Sequence, residues 1–171
     1  MDLNGTISTA FGCPFEGDQP PPRVLHLIQR YLDLGVDGIT LADTTGMANP
    51  RQVRALTEAA LKLIPANSLT LHFHNTRGMG LANVLAGHQA GARRFDSSLG
   101  GLGGCPFAPG ATGNICTEDV VNMAQDMGLE TGIDLQRLIQ LARTLPALLG
   151  HEVPGQVMKA GRARDLHPLP K

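Results

Sequence analysis

The sequence has no tryptophan and one tyrosine, and aromatic residues make up only 4% of its 171 residues. Its three cysteines, an odd number with no Cys-x-x-Cys pair, exclude a disulfide framework and favour a reducing compartment. The net charge of −1 gives no electrostatic reason to expect nucleic acid or an anionic membrane as a partner. No apolar run approaches the roughly 18 residues of a membrane span, and the first ten residues lack a signal-peptide pattern. We therefore predict a soluble, cytoplasmic protein.

What the sequence does have is a repeated strand–turn–helix pattern. Runs typical of β-strands begin near residues 6, 38, 69 and 94, and each is followed by a loop and a helical pattern of apolar residues. Such alternation predicts right-handed βαβ crossovers and a parallel sheet, so the fold class is α/β. Two architectures fit: an open doubly wound sheet, or part of a (β/α)8 TIM barrel.

Polar residues at the ends of the predicted strands favour the barrel, because barrel enzymes collect such residues on one rim. They are Cys13, Asp43, His72, His74, Asp96 and Ser97. A whole barrel needs about 250 residues, so residues 1–150 are predicted to form its C-terminal half of four strands, with an extra C-terminal helix broken by Pro146. Residues 151–171, rich in proline, glycine and charge, are expected to be a loosely ordered tail.

In the run "LTLHFH", His72 and His74 are two residues apart near the end of a predicted strand. Residues i and i+2 of a strand point to the same side, so both imidazoles are expected to project together. Two nitrogen ligands placed in this way can hold one metal ion; the alternative is a pair of polar residues on a half-exposed strand. On ligand chemistry alone, the metal is Zn²⁺, Mn²⁺ or Mg²⁺.

The segment "GGLGGCPFAPGATGN", residues 100–114, has six glycines, and its backbone can approach a ligand closely or move as a lid. Its spacing matches neither a P-loop nor a dinucleotide-binding motif. Cys105 is a reactive thiol if a nearby cation lowers its pKa, and otherwise a small packing residue. Asn114 can offer an oxygen to a hard cation, or serve as a turn or helix-cap residue.

These motifs together resemble the C-terminal half of a hydroxymethylglutaryl-CoA lyase, a member of a superfamily of metal-dependent barrel lyases and aldol-type synthases. The resemblance covers about residues 5–145 and includes "STAFGCPFEGD" and "LADTTGMANP". It implies a TIM-barrel fold and cleavage of 3-hydroxy-3-methylglutaryl-CoA to acetoacetate and acetyl-CoA. The His-x-His strand is shared by the whole superfamily, whereas the cysteine-bearing loop is much more restricted to the lyases and supports the substrate prediction.

The resemblance also implies roles for individual residues. His72 and His74 match imidazole ligands of a divalent cation, Mg²⁺ or Mn²⁺, and Asn114 matches an oxygen ligand. Cys105 matches a catalytic cysteine that exchanges a proton with the substrate from a mobile lid. Asp43 matches an acidic residue important for activity, and either Asp43 or His72 is nearest to the role of general base. No substrate-binding residue is predicted.

Two positions depart from the family pattern, namely Asn75 in place of the usual Asp and Arg77 in place of an aromatic residue. Alternative functions are a lyase for a related 3-hydroxyacyl-CoA, an aldolase for a 4-hydroxy-2-oxo acid, and a truncated, non-enzymatic chain. In the family, an Arg-Asp pair on the first barrel strand supplies a carboxylate ligand, and that strand would precede Met1. We therefore expect little activity from this chain alone, and association with a missing N-terminal half or with a second copy as a homo-oligomer.

Overall fold

Four strands alternate with helices along the first half of the chain. The computed structural model describes residues 1–104, 106, 110, 112–166 and 169. The elements of the first half are β1 (Asn4–Ile7), α1 (Pro21–Asp33), β2 (Gly38–Asp43), α2 (Pro50–Ala60), β3 (Leu69–Phe73), α3 (Gly80–Gln89) and β4 (Arg94–Asp96). All neighbouring strands are parallel, in the order β1-β2-β3-β4. The predicted strand–helix alternation and parallel sheet are confirmed.

The chain divides into two units, the first formed by residues 1–97 and 103–115 and the second by residues 98–102 and 116–171. The first unit contains the sheet and α1 to α3. The second contains a 3-10 turn (Leu99–Gly101) and the helices α4 (Thr117–Asp126), α5 (Leu135–Ala142), α6 (Leu145–Leu149) and α7 (Val157–Ala160). Within the described part of the chain, no helix combines the length and apolar character needed to cross a membrane.

The two faces of the sheet differ in character because the strands alternate in polarity. Residues that pair across parallel strands point to the same face. One face carries fully buried aliphatic pairs, such as Ile39 with Leu69 and Leu41 with Leu71. The other carries polar and small residues, and there His72 pairs with Ala42 on one side and with Asp96 on the other. The register thus places His72 and Asp96 side by side at the carboxyl end of the sheet.

Local sequence signals set the start of α2 and the packing of α3. The side chain of Asn49 accepts a hydrogen bond from the Gln52 N–H, and the Gln52 side chain accepts one from the Asn49 N–H, which together form a capping box ahead of Pro50. Helix α3 approaches the sheet closely at Gly87, where a Cβ atom would lie 2.5 Å from Cδ1 of Leu71. This position has no room for a side chain.

The second unit has its own small core, in which Leu99 and Leu102 pack against Ala142, Leu145, Val153 and Met158. The helix predicted over residues 134–149 is interrupted before Pro146, which lies in the first turn of α6. Residues beyond 150 include α7. Its first residue, Val157, donates its N–H to Oδ1 of Asp119 at 2.8 Å. The division of the chain at residue 150 stays a prediction.

Candidate active site

The candidate site lies at the carboxyl ends of β3 and β4, where the sheet delivers polar side chains from neighbouring strands. His72 is the fourth residue of β3, and its Nδ1 lies 2.5 Å from Oδ1 of Asp96, the last residue of β4. The His72 side chain is 24% exposed and that of Asp96 is 51% exposed. This pair is therefore open to solvent on one side, which a ligand-binding group requires.

His74 follows β3 directly and is held by the returning end of the glycine-rich loop. It forms an isolated antiparallel bridge with Asn114. Its Nδ1 lies 3.1 Å from the carbonyl oxygen of Thr112, and the residue is 6% exposed. Burial lowers the pKa of His74 and outweighs the opposing effect of the Thr112 carbonyl. The environment thus favours the neutral imidazole, the form that binds metals.

The two imidazoles lie side by side, as their spacing in the strand predicts, with ring centroids 5.1 Å apart and planes tilted by 58°. A carbonyl oxygen can only accept a hydrogen bond, so Nδ1 of His74 donates to the carbonyl of Thr112. An ionised carboxylate can also only accept, so Nδ1 of His72 donates to Asp96. A neutral ring in this orientation has a lone pair on Nε2, and neither Nε2 atom has a hydrogen-bond partner among the described residues. These donors suit a divalent cation.

Asn114 is fixed next to His74 by backbone contacts. Its N–H donates to the carbonyl of Gly103 at 3.1 Å, and the following Ile115 N–H donates to the carbonyl of Phe73 at 3.1 Å. A Cβ atom on Gly103 would lie 2.9 Å from Nδ2 of Asn114, so a side chain there would displace the amide. Helix α4 has Cys116 as its N-cap, and Asn114 is therefore not the cap residue.

The loop after β3 is connected to the returning segment of the glycine-rich loop. The Asn75 N–H donates to the carbonyl of Gly113 at 3.1 Å, and the Thr112 N–H donates to Oγ1 of Thr76 at 3.3 Å. Cys105, the predicted catalytic thiol, lies outside the described residues. The described ends of its loop nevertheless meet at Gly103 and Asn114, next to His74.

Asp43 is placed differently from the two histidines. It pairs with Phe73 in the sheet, so it leaves the strand on the face opposite to His72. It is 0% exposed, and its Oδ1 accepts hydrogen bonds from the N–H groups of Met47 at 2.8 Å and Ala48 at 3.0 Å. Burial raises the pKa of Asp43, more than these hydrogen bonds lower it. Its hydrogen bonds are thus made to the loop between β2 and α2.

No group of three His, Cys, Asp or Glu side chains suited to a metal ion occurs within the described ranges. A cation site built from this chain would therefore combine His72 and His74 with the amide oxygen of Asn114. The contacts of Asp96 and Thr112 with the rings were not predicted from the sequence. Asp96 was recognised only as a polar strand end, and the alignment of β4 with β3 is the feature that would have identified it.

Comparison with known proteins supplies the family. The family model described as HMGL-like matches residues 3–145. The chain belongs to the HMGL-like family. A solved HMG-CoA lyase from Acinetobacter baumannii, in complex with coenzyme A and 3-methylmalate, superposes with a TM-score of 0.95 at 65% identity, over 98% of this chain and 55% of that one. The parallel (β/α) units predicted for a TIM barrel of this family are confirmed.

Two relatives have activities that are named for acyl-CoA substrates. An (R)-citramalyl-CoA lyase of Chloroflexus aurantiacus is 52% identical over 155 residues, which cover 91% of this chain and 49% of the relative. A hydroxymethylglutaryl-CoA lyase of Bacillus subtilis is 44% identical over 150 residues, which cover 88% of this chain and 50% of the relative. The chain thus spans about half the length of these relatives, and both are lyases of acyl-CoA thioesters.

Proposed function

We propose that this chain carries the metal-binding and lid segments of a carbon–carbon lyase that cleaves 3-hydroxy-3-methylglutaryl-CoA to acetoacetate and acetyl-CoA. The observation that supports this best is the orientation of the two rings: Nδ1 of both His72 and His74 is engaged by an oxygen acceptor, which leaves both Nε2 atoms available. His72, His74 and Asn114 would hold the cation, and the resemblance favours Mg²⁺ or Mn²⁺. A bound divalent cation would supply Lewis-acid stabilisation of the substrate oxygens.

The chemistry requires a base and an acid. A base removes the proton of the tertiary hydroxyl, the bond between the substrate's C2 and C3 breaks, and its electron pair passes to C2 as the enolate of acetyl-CoA. An acid then protonates that carbon, and Cys105 is proposed for this step, because a thiol with a pKa of about 8.5 is largely protonated at neutral pH.

Of the two groups predicted as base, His72 is the more accessible, but as a ligand its Nε2 is occupied, so neither group is proposed as the base. Its side chain is 24% exposed, whereas Asp43 is 0% exposed and hydrogen-bonded to its own loop. His72 can use its Nε2 either as a ligand or as a base, but not for both at once. We therefore propose Asp43 as a positioning residue that holds the loop between β2 and α2.

A second candidate substrate is citramalyl-CoA, which the 52% identity to the (R)-citramalyl-CoA lyase favours. Its acyl group is one methylene shorter than that of 3-hydroxy-3-methylglutaryl-CoA, and the same bond cleavage would give pyruvate and acetyl-CoA. One methylene in a pocket typically changes selectivity by about 10–200-fold. The two substrates therefore need a direct comparison.

We further propose that the chain needs a companion segment for full activity and that the protein is cytoplasmic. Two imidazoles and one amide give a cation no charged ligand, and the described residues offer no third His, Cys, Asp or Glu ligand. The companion would be a segment equivalent to the other half of the relatives, of which the chain spans 49–50%; a second copy of the chain is the alternative.

The test is an assay of the purified chain with Mg²⁺ or Mn²⁺ and each substrate, alone and mixed with the N-terminal half of the Bacillus subtilis relative. We expect acetyl-CoA to be released only in the mixture, and faster from the preferred substrate. Full activity of the chain alone would show that the ligand set is wrong. A mixture that forms a stable complex but cleaves neither thioester would contradict the proposed reaction.

A further inference from the structure

Asp96 has a contact with the candidate site that the proposed chemistry does not use. Its Oδ1 lies 2.5 Å from Nδ1 of His72, and the two residues are direct partners in the register of β3 and β4. The contact therefore follows from the pairing of two strands and does not depend on a loop. The Asp96 side chain is 51% exposed, so burial does not explain its placement.

The acceptor at Nδ1 determines which ring nitrogen carries the proton. A neutral imidazole has one N–H and one lone pair, and an ionised carboxylate can only accept a hydrogen bond. Asp96 therefore stabilises the His72 form with the proton on Nδ1 and the lone pair on Nε2. The carboxylate lies on the opposite side of the ring from Nε2, so Asp96 is not placed to bind a cation held there.

His74 provides an internal comparison within the same strand end. Its Nδ1 donates to the backbone carbonyl of Thr112, and no side-chain substitution removes that acceptor. The two rings are thus fixed by independent groups: a carboxylate for His72 and a main-chain oxygen for His74. A change at Asp96 should affect the first ring and leave the second unchanged.

We propose that Asp96 is a positioning residue that fixes His72 with its proton on Nδ1 and so presents Nε2 to a divalent cation. The presence of a cation rests on the proposed function, whereas the tautomer of His72 does not depend on it. Removing an outer partner of a metal-bound histidine commonly weakens metal affinity by about 10–100-fold. Asp96 thus acts through His72 and makes no contact with the reacting atoms.

The first measurement is the tautomeric state of each ring in the metal-free chain, from long-range proton–nitrogen NMR correlations at about pH 8, above the usual His pKa of about 6.5. In the unaltered chain we expect both His72 and His74 to carry the proton on Nδ1. In Asp96→Ala, His72 should shift toward the form with the proton on Nε2, while His74 should not change. Asp96→Asn should shift His72 in the same direction, because the amide NH2 can donate to Nδ1 and so favours the ring with its proton on Nε2.

The second measurement is Mn²⁺ binding by the same chains mixed with the N-terminal half of the Bacillus subtilis relative, followed by paramagnetic broadening of the ring signals. Asp96→Ala should need about 10–100-fold more Mn²⁺ for the same broadening. Glu58→Ala, which removes an exposed carboxylate from α2, is the control for the loss of one negative charge. An unchanged His72 tautomer in Asp96→Ala would overturn the proposal. A changed tautomer in a mixture that binds no Mn²⁺ would support the positioning of His72 and contradict the cation site.

Discussion

The two histidines contribute differently to the candidate site although they are only two residues apart. His74 is 6% exposed and lies against the backbone of the glycine-rich loop, whereas His72 is partly exposed and paired with a carboxylate. A buried neutral imidazole is a preformed ligand, since it does not need to lose a proton before binding. Each ring offers one Nε2 lone pair, so both are needed for a two-nitrogen site.

We predict that His72→Ala and His74→Ala each abolish measurable Mn²⁺ binding, because either substitution leaves this chain with only one imidazole and one amide oxygen to offer the cation. Isothermal titration of the chain, mixed with its companion segment, measures the affinity directly. His26→Ala removes an exposed histidine from α1 and is the matched control. Affinity that is unchanged in both site variants would show that the cation does not bind at these rings.

For Cys105, which lies outside the described residues, we predict that Cys105→Ser lowers turnover by about 10²–10⁴-fold, the usual contribution of a placed proton donor. A hydroxyl is a far weaker acid than a thiol, while its size is similar, so Mn²⁺ affinity should stay close to its original value. Steady-state assays of the chain with its companion segment give both kcat and KM. Cys13→Ser, in the loop after β1, is the control. Retention of most of the activity would make Cys105 a packing residue.

At the scale of the elements, the spacing of apolar residues predicted the four strands and their helices. This spacing shows which side of each element is buried, and burial of that side stabilises the element. It also predicted that His72 and His74 share a face, since a strand alternates with a period of two. The opposite orientation of Asp43 was not predicted, because it depends on the register of β2 against β3, in which Asp43 pairs with Phe73. The acceptors of the two rings come from β4 and from a loop backbone, and no local pattern encodes such contacts between segments.

The contact between α3 and the sheet gives a test of packing. Gly87→Ala should gain about 0.5–1 kcal/mol from helix propensity, but its Cβ would lie 2.5 Å from Cδ1 of the fully buried Leu71 and 3.2 Å from the ring of Phe95. Overpacking of this kind costs about 1–3 kcal/mol. We therefore expect a net loss of stability in urea denaturation.

The matched variant for this test is Leu71→Val, which removes the Cδ1 atom that the new methyl group would meet. In that background, Gly87→Ala should cost less than in the unaltered chain, and a double-mutant cycle measures the difference. If the penalty of Gly87→Ala is the same in both backgrounds, the close approach of α3 at Leu71 does not limit packing.

At the scale of the whole molecule, each unit contains one fully buried carboxyl group, Asp43 in the first and Glu118 in the second. Oε2 of Glu118 accepts a hydrogen bond from the Gly100 N–H at 3.0 Å, and Oε1 has no partner among the described residues. Burial raises the pKa of Glu118, and the nearby charge of Asp119 raises it further. In both units, therefore, burial of this carboxyl group costs less free energy when the group is protonated than when it is ionised.

This arrangement sets the direction of a pH effect on stability. Because the pKa of Glu118 is higher in the folded state than the value of about 4.3 in an unfolded chain, the folded state binds more protons between the two values. The contribution of Glu118 to the free energy of unfolding is fully present below about pH 4.3. It is lost as the pH rises through the folded-state pKa. We predict that Glu118→Gln, which stays neutral, loses less stability than the unaltered chain as the pH rises.

The measurement is urea denaturation from about pH 4.3, the unfolded-state Glu value, to about pH 8, with the free energy of unfolding compared between the two chains at each pH. Using the difference cancels the contributions of His74 and Asp43, which are present in both. Glu130→Gln removes an exposed carboxylate of the second unit and controls for the charge itself. If the difference between Glu118→Gln and the unaltered chain stays constant across this range, folding does not raise the pKa of Glu118. The carboxylate would then be stabilised by the Gly100 N–H despite its burial.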